Sequence, residues 1–435
     1  MCDSFVALPI ATLTGTTLAA KNADCEINEA QAVLRLPRCS YPDGAKMRAT
    51  HIVLPQARET HEVIIDKSFW TWGGEIGLNG PGLAVGNEAI FSTVGEPGDG
   101  LITGDLLRLM LERARTCEEA VQVFIEALER FGQSGNCELR GNSHFDSSYL
   151  VSDVASAVVI ETAGRHWAVR PVDDVGTISN AMTIARDWQR CSFAAGSRGN
   201  GSGDGPIDFQ AEFEDLARVA TAGSWQRHSV SQSWLAERKG KIDLRTMADL
   251  LRQHGEGYDP AEGEVCTNIC MHAGPHPNRY WQACGAMIME TAPQGAMAWV
   301  TATSGTCVSV FKPVYFGVSM PDTGPLPRET YTEGALWWKH ELLHRRAMAD
   351  FRALGPEIRA DFERLEDGFF AEGRRLIAAP PQQKAEFMAE SWRRAAEATD
   401  RWLATLERRN VTFQNGDFGA MWDRVNRAAA MPLLH

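Results

Sequence analysis

No run of about 18 apolar residues occurs anywhere in the 435-residue chain, so a membrane-spanning helix is not expected. Basic side chains are also in deficit. Lys and Arg total 43 against 56 Asp and Glu, a formal net charge of -13, and the basic footprint of a nucleic-acid binder is missing. The same deficit disfavours docking on anionic lipid. The opening MCDSFVALPIATLTGTTLAAKN lacks a basic leader and a small-residue cleavage site, so a cytoplasmic protein is expected, with neither nucleic acid nor membrane as partner. Residues 196–205, GSRGNGSGDG, are rich in glycine but lack the lysine and following Ser or Thr of a phosphate loop. They read as a loop.

What is present is an ordinary globular composition, 44% hydrophobic and 23% charged. Ten scattered cysteines fit a reducing compartment, where most serve as small buried hydrophobes. Cys266 and Cys270 are followed by His272 and His276, but only Met271 separates the pairs. A zinc finger needs about 12 residues there, so no metal is expected from that spacing.

Along the chain, residues 4–10 and 17–21 predict two strands joined through Thr14-Gly15-Thr16. EIGLNGPGLAVGNEAIF, residues 75–91, predicts two more around the turn at residues 79–82. Two helices follow. The second is signalled by Thr116 and Glu119 as a capping box, by the face Val121, Phe124, Ile125 and Leu128, and by Gly132 as its stop. Residues 149–185 return to short strands. This order predicts an α+β sandwich. Residues 2–326 read as the core and 327–435 as a helical tail of about three helices, interrupted at Gly355-Pro356 and Pro380-Pro381.

Cys2 is the residue with most chemical potential. Removal of Met1 leaves a thiol and an α-amine on one residue, with ordinary pKa values of about 8.5 and about 7.7–8.0. The amine can accept the thiol proton near neutral pH, uniting nucleophile and base. The second strand ends in Lys21-Asn22-Ala23-Asp24, which can return beside Cys2 with a cation for the thiol and a carboxylate for the amine.

CDSFVALP followed by AAKNAD resembles the opening of the secernin family and its cysteine dipeptidase relatives. WTWGGEIGLNGPGLAVGNEA, GDLLRLMLERA, FGQSGNC, VIETAGRHWAVRPV, TISNAMTI, CMHAG, VFKPV and LWWKHELLHR resemble further secernin segments in order, from Cys2 to about Arg345. The resemblance implies a four-layer αββα N-terminal-nucleophile hydrolase core, activated by loss of Met1, with Cys2 as nucleophile and Asp24 at the α-amine. Lys21 stands where related acylases carry an arginine, which keeps the charge and loses the planar fork. Asn180 matches an oxyanion donor and Asn87 lies in the region of a second. For the second arginine of the acylases no counterpart is evident, Arg165 and Arg190 being candidates only. Asn22, Trp72, Glu75, Asn136, Arg165 and His166 are weaker candidates for positioning substrate, and Trp70 and Trp167 for lining a pocket.

The implied chemistry is hydrolysis of a linear C–N amide, by default in a dipeptide, with a small peptide or N-acyl amide as partner and no metal or organic cofactor. The rivals are a secernin-like binding or regulatory protein, and an acyltransferase or amidase acting on a specialised metabolite. A third is a zinc peptidase built on His340-Glu341-Leu342-Leu343-His344, which fits HExxH. That pattern lacks a good third ligand. Asp350 stands where a metzincin places its histidine, His435 is terminal, and Glu363 and Glu366 are ordinary helix residues. Trp337 and Trp338 open the helix and suggest packing on the core, or an interface for a homo-oligomer.

Overall fold

The computed structural model describes residues 1–95, 98–193, 206–413 and 416–432; the loop expected at 196–205 and His435 lie outside the described residues. Two antiparallel sheets face one another. The six-stranded sheet runs in the order Val175–Ile178, Cys2–Ala7, Thr17–Glu26, Trp281–Ala292, Gly295–Val300 and Lys312–Tyr315. The eight-stranded sheet runs Arg190–Cys191, His166–Val172, Ala157–Ala163, Asp146–Ser152, Ala84–Ile90, Ile76–Asn79, Val63–Ser68 and Gln31–Leu36.

Helices Thr103–Arg113 and Cys117–Phe131 cover the outer face of the larger sheet, with Leu106, Met110, Phe124 and Leu128 packed on Val85, Tyr149 and Ile160. Helices Ser224–Ala236 and Leu244–Leu251 cover the smaller sheet. The α+β sandwich expected from the sequence, in the four-layer αββα form that the family resemblance implies, is therefore present. Thr116 caps its helix as expected, accepting from the Glu119 backbone N–H.

The tail departs from the expected three segments. It holds four described helices, Leu336–Met348, Phe351–Arg375, Pro381–Arg409 and Gly416–Ala428. Gly355-Pro356 does not interrupt it: Pro356 sits in the second turn of the helix that begins at Phe351, and the helix continues to Arg375. The helices beginning at Phe351 and Pro381 lie over the edge strand Lys312–Tyr315, where Trp392 donates to the Pro313 carbonyl at 3.0 Å and Tyr315 to the Gly373 carbonyl at 2.7 Å. This covers the edge of the smaller sheet. Trp337 and Trp338 are buried within the chain and donate to the Cys284 and Arg328 carbonyls, so the pair is not available to a second copy. No helix among the described residues is long and apolar enough to cross a membrane.

Candidate active site

The first two strands form the hairpin read from the sequence, but the second extends to Glu26 and pairs Cys2 with Ala23, Asp3 with Asn22 and Ser4 with Lys21. Side chains alternate across a strand, so Cys2, Ser4, Lys21 and Ala23 share one face while Asp3, Asn22 and Asp24 share the other. The first face looks into the gap between the sheets. There Ser4 donates to Glu88 at 2.6 Å, and a Cβ at Gly86 would lie 2.5 Å from the Ser4 hydroxyl. The second face looks toward the helices. Asp3 pairs with Arg227 at 2.7 Å, and Asn22 donates to the Leu251 and Ile269 carbonyls.

Cys2 thus begins an inner strand and borders a cavity of about 320 Å³. Its Sγ accepts the Asp24 backbone N–H at 3.4 Å. Its nitrogen donates to Asn180 Oδ1 at 2.9 Å, and the Met1 ammonium donates to the Asp24 carbonyl at 2.9 Å. Lys21 is fully buried, donates to the Asn22 carbonyl at 3.4 Å, lies 3.7 Å from Glu75 and acts on the thiol through its charge. Burial drives the Lys21 pKa down, but Cys2, Glu88 and Glu75 together outweigh it and the ammonium is held above its ordinary range. Burial pushes the Cys2 thiol up to about 11 against the pull of Lys21 and the terminal ammonium.

The carboxyl groups around this centre share that desolvation. Burial raises Asp24 to about 8, and both of its oxygens lack a hydrogen-bond partner. It likewise raises Glu88 to about 8, and Asp66 and Glu29 to about 7. Native Asp24 keeps its proton up to about 8, whereas the unfolded side chain releases it near about 3.9. Across that window the native state binds more protons, so the Asp24 contribution to stability falls as pH rises. In the Met1-bearing chain, Asp24→Asn is expected to flatten the decline of the thermal midpoint between about pH 4 and pH 8. Identical slopes for parent and variant would show that Asp24 does not titrate there.

The sequence candidates separate by place. Cys2, Asp24, Glu75 and Asn87 all line the cavity. Asn87 donates to the Gly74 carbonyl at 3.3 Å, and its Oδ1 is buried without a partner. Asn180 sits behind Cys2 with its Nδ2 donated to the Ala89 carbonyl at 2.7 Å. The remaining candidates fall away from the cavity. Trp72 stacks under Arg108, Asn136 closes its own loop through Glu138 and Ser143, and Arg165 donates to the Glu129 carbonyl. His166 stacks on Phe193 and Phe213, Trp167 belongs to the core under the outer helices, and Arg190 pairs with Glu118. The aromatic groups on the cavity are instead Phe91, Phe145, Tyr280 and Trp281.

The residue the sequence reading missed is Arg227. It is fully buried on the helix Ser224–Ala236 and bonds Asp3, Asn180 Oδ1 at 2.8 Å and the Cys2 carbonyl at 3.5 Å. Its helix buries Ser224, Arg227, Ser231 and Leu235, a helical spacing carried mostly by polar residues. A search for apolar periodicity passes over it; the i, i+4, i+8 spacing of Arg227, Ser231 and Leu235 was the available signal.

HExxH does not form a zinc centre. His340 meets Ser309 at 3.0 Å, whereas His344 Nε2 meets His272 Nδ1 at 3.0 Å. Glu341 accepts from Arg345 at 2.7 Å, Gln282 at 3.0 Å, His344 at 3.2 Å and Ser304. Despite burial, Arg345 and His344 hold its carboxylate far below the usual range, and no oxygen remains for a base. The motif is a buried polar clamp.

No family model matches the chain. Among solved structures, a conjugated bile acid hydrolase from Clostridium perfringens is similar at 15% identity and a TM-score of 0.41, over 69% of this chain and 88% of that one. A penicillin V acylase from Agrobacterium tumefaciens gives 10% identity and a TM-score of 0.41, over 72% and 86%. The Caenorhabditis elegans ortholog of N-acylethanolamine-hydrolyzing acid amidase gives 13% identity and a TM-score of 0.35, over 66% and 92%.

Proposed function

We propose that this chain is a cysteine amidohydrolase whose nucleophile is Cys2 after loss of Met1, and that its substrates are dipeptides with a free α-amino group. The observation that carries the reading is the placement of Cys2. Its thiol borders a cavity, with a backbone N–H at the sulfur and a buried ammonium whose charge acts on it. Both pull the thiol toward the thiolate against the burial that raises its pKa.

In this reading the freed α-amine, held by Asn180 Oδ1, takes the thiol proton as Sγ attacks the substrate carbonyl carbon. The C–S bond forms and the carbonyl oxygen takes up negative charge. When the C–N bond breaks, the same proton passes to the leaving amine. Water then cleaves the thioester, releasing a carboxylic acid and restoring Cys2. Asn87 is the better placed oxyanion donor, because it lines the cavity and holds only a long bond to Gly74. Asn180 is the positioning residue for the nucleophile's nitrogen.

The substrate class follows from charge. Glu75 and Glu138 line the cavity against Arg218 as the basic side chain of the lining, while Asp24 and Glu29, which burial raises to about 8 and about 7, add acceptor oxygens that take on charge beside a bound ammonium. An acid-rich cavity with aromatic walls favours an ammonium group beside an apolar side chain. The test is a panel of dipeptides with their N-acetylated counterparts. Acetylation is expected to lower kcat/KM by about 10–100-fold, the worth of one or two lost charge-assisted bonds. Faster turnover of the acetylated series would replace the dipeptidase with an acyl-amino-acid amidase.

A further inference from the structure

Four side chains from three parts of the chain meet beneath the tail, away from Cys2. His254 follows the helix Leu244–Leu251, and Cys270 and His272 precede the strand Trp281–Ala292. Cys307 lies in the 3-10 turn Thr306–Val308. One donor atom from each lies within 4.8 Å of the other three. His272 Nε2 stands 3.2 Å from Cys307 Sγ and 3.7 Å from Cys270 Sγ. A tetrahedral zinc with ordinary Zn–S and Zn–N bonds requires an N···S edge of about 3.6 Å. Cys270, His272 and Cys307 are buried, and the buried Nε2 of His254 has no hydrogen-bond partner.

We infer that His254, Cys270, His272 and Cys307 form a structural zinc site. The arrangement behind the cluster is what a ligand histidine needs. His272 turns Nε2 to the two sulfurs and Nδ1 to His344 Nε2, while His344 Nδ1 faces Glu341, itself pinned by Arg345. A carboxylate acting through a hydrogen-bonded ring fixes the ligand's tautomer and raises its basicity. The HExxH helix thus supplies the supporting shell of a metal it does not ligate. Cys270 and His272 were also half of the rejected Cys266-Cys270-His272-His276 grouping, whose other members do not enter the cluster.

With two cysteines and two histidines the shell is closed, leaving no position for substrate. Loading converts two thiols to thiolates and releases two protons. The ion would join the loop before Trp281, the turn at Cys307 and, through His344, the first helix of the tail. Phe351, at the start of the next helix, packs against both His254 and His272.

The test uses the full chain purified under reducing conditions without added metal. Elemental analysis is expected to show one zinc per chain. Removal by a chelator and addition of cobalt should give thiolate-to-cobalt charge-transfer absorption in the near ultraviolet, with tetrahedral bands in the red. Cys270→Ser and Cys307→Ser should lose most of the charge-transfer intensity, and Cys266→Ser should retain it. His344→Gln should bind cobalt about 10–100-fold more weakly while keeping the same bands. Should the cysteine variants fail to fold, the parent decides alone. Absence of zinc as purified, together with no charge-transfer band on cobalt addition, overturns the site. So does a Cys270–Cys307 disulfide found by mass mapping of the reduced preparation.

Discussion

Cys2→Ala is expected to lower amide turnover by on the order of 10⁴-fold or more, because no other group can form the acyl-enzyme. Cys2→Ser tests the same point with less disturbance, since the hydroxyl keeps the site's shape and is a far weaker acid and nucleophile than the thiol. Both variants expose an amine on residue 2 once Met1 is lost, so processing can be followed by mass spectrometry. With the Met1 peptide bond intact, the Cys2 nitrogen is an amide donating to Asn180 and has no basic lone pair. The chain that retains Met1 should therefore be nearly as inactive as Cys2→Ala. Full turnover by either would end the mechanism. Trapping a radiolabelled acyl group on Cys2 from the active substrate would distinguish a nucleophile from a cysteine that merely packs there.

Arg227→Met should cost about 3–5 kcal/mol of stability, the usual penalty for leaving one member of a buried ion pair alone. Asp3 and Arg227 are both fully buried, and one Asp3 oxygen already lacks a partner. Burial drives the Asp3 carboxyl up even with Arg227 beside it. The substitution also frees Asn180 Oδ1 from one of its two donors, so the nitrogen of Cys2 loses its fixed acceptor. Urea unfolding of Arg227→Met, Asp3→Asn and the double variant separates the effects. The double variant should recover much of the stability while kcat stays low. A single variant within about 1 kcal/mol of the parent would show that the pair carries no structural weight.

The hairpin that presents Cys2 was legible in sequence because two apolar runs flank Thr14-Gly15-Thr16, and its return sets Lys21 opposite Ser4 and Asp24 one residue beyond the Cys2–Ala23 pair. Asn87 was legible only through the family resemblance; the glycine-punctuated segment gave the two strands, and Asn87 lies within the second of them. Other parts were hidden for physical reasons. The twelve-residue strand Trp281–Ala292 is buried on both faces and shows no apolar-polar alternation. Arg227 lies more than two hundred residues from Cys2 on a helix whose buried stripe is polar. Gly355-Pro356 reads as a break, yet Gly355 lets the Phe351 ring pack close to the backbone and the helix continues. HExxH reads as zinc chemistry, whereas the structure spends the glutamate on Arg345.

The carboxyl groups sealed between the layers alter the charge of the molecule as a whole. Asp24 and Glu88, raised to about 8, and Glu29, Asp66 and Glu161, raised to about 7, keep protons that the open chain gives up. The folded protein is thus less anionic at neutral pH than its formal -13, and unfolding there releases protons to the buffer. Native and denatured forms should focus at different points in a pH gradient, with the native form at the higher one, so a charge measurement reports whether these layers are closed.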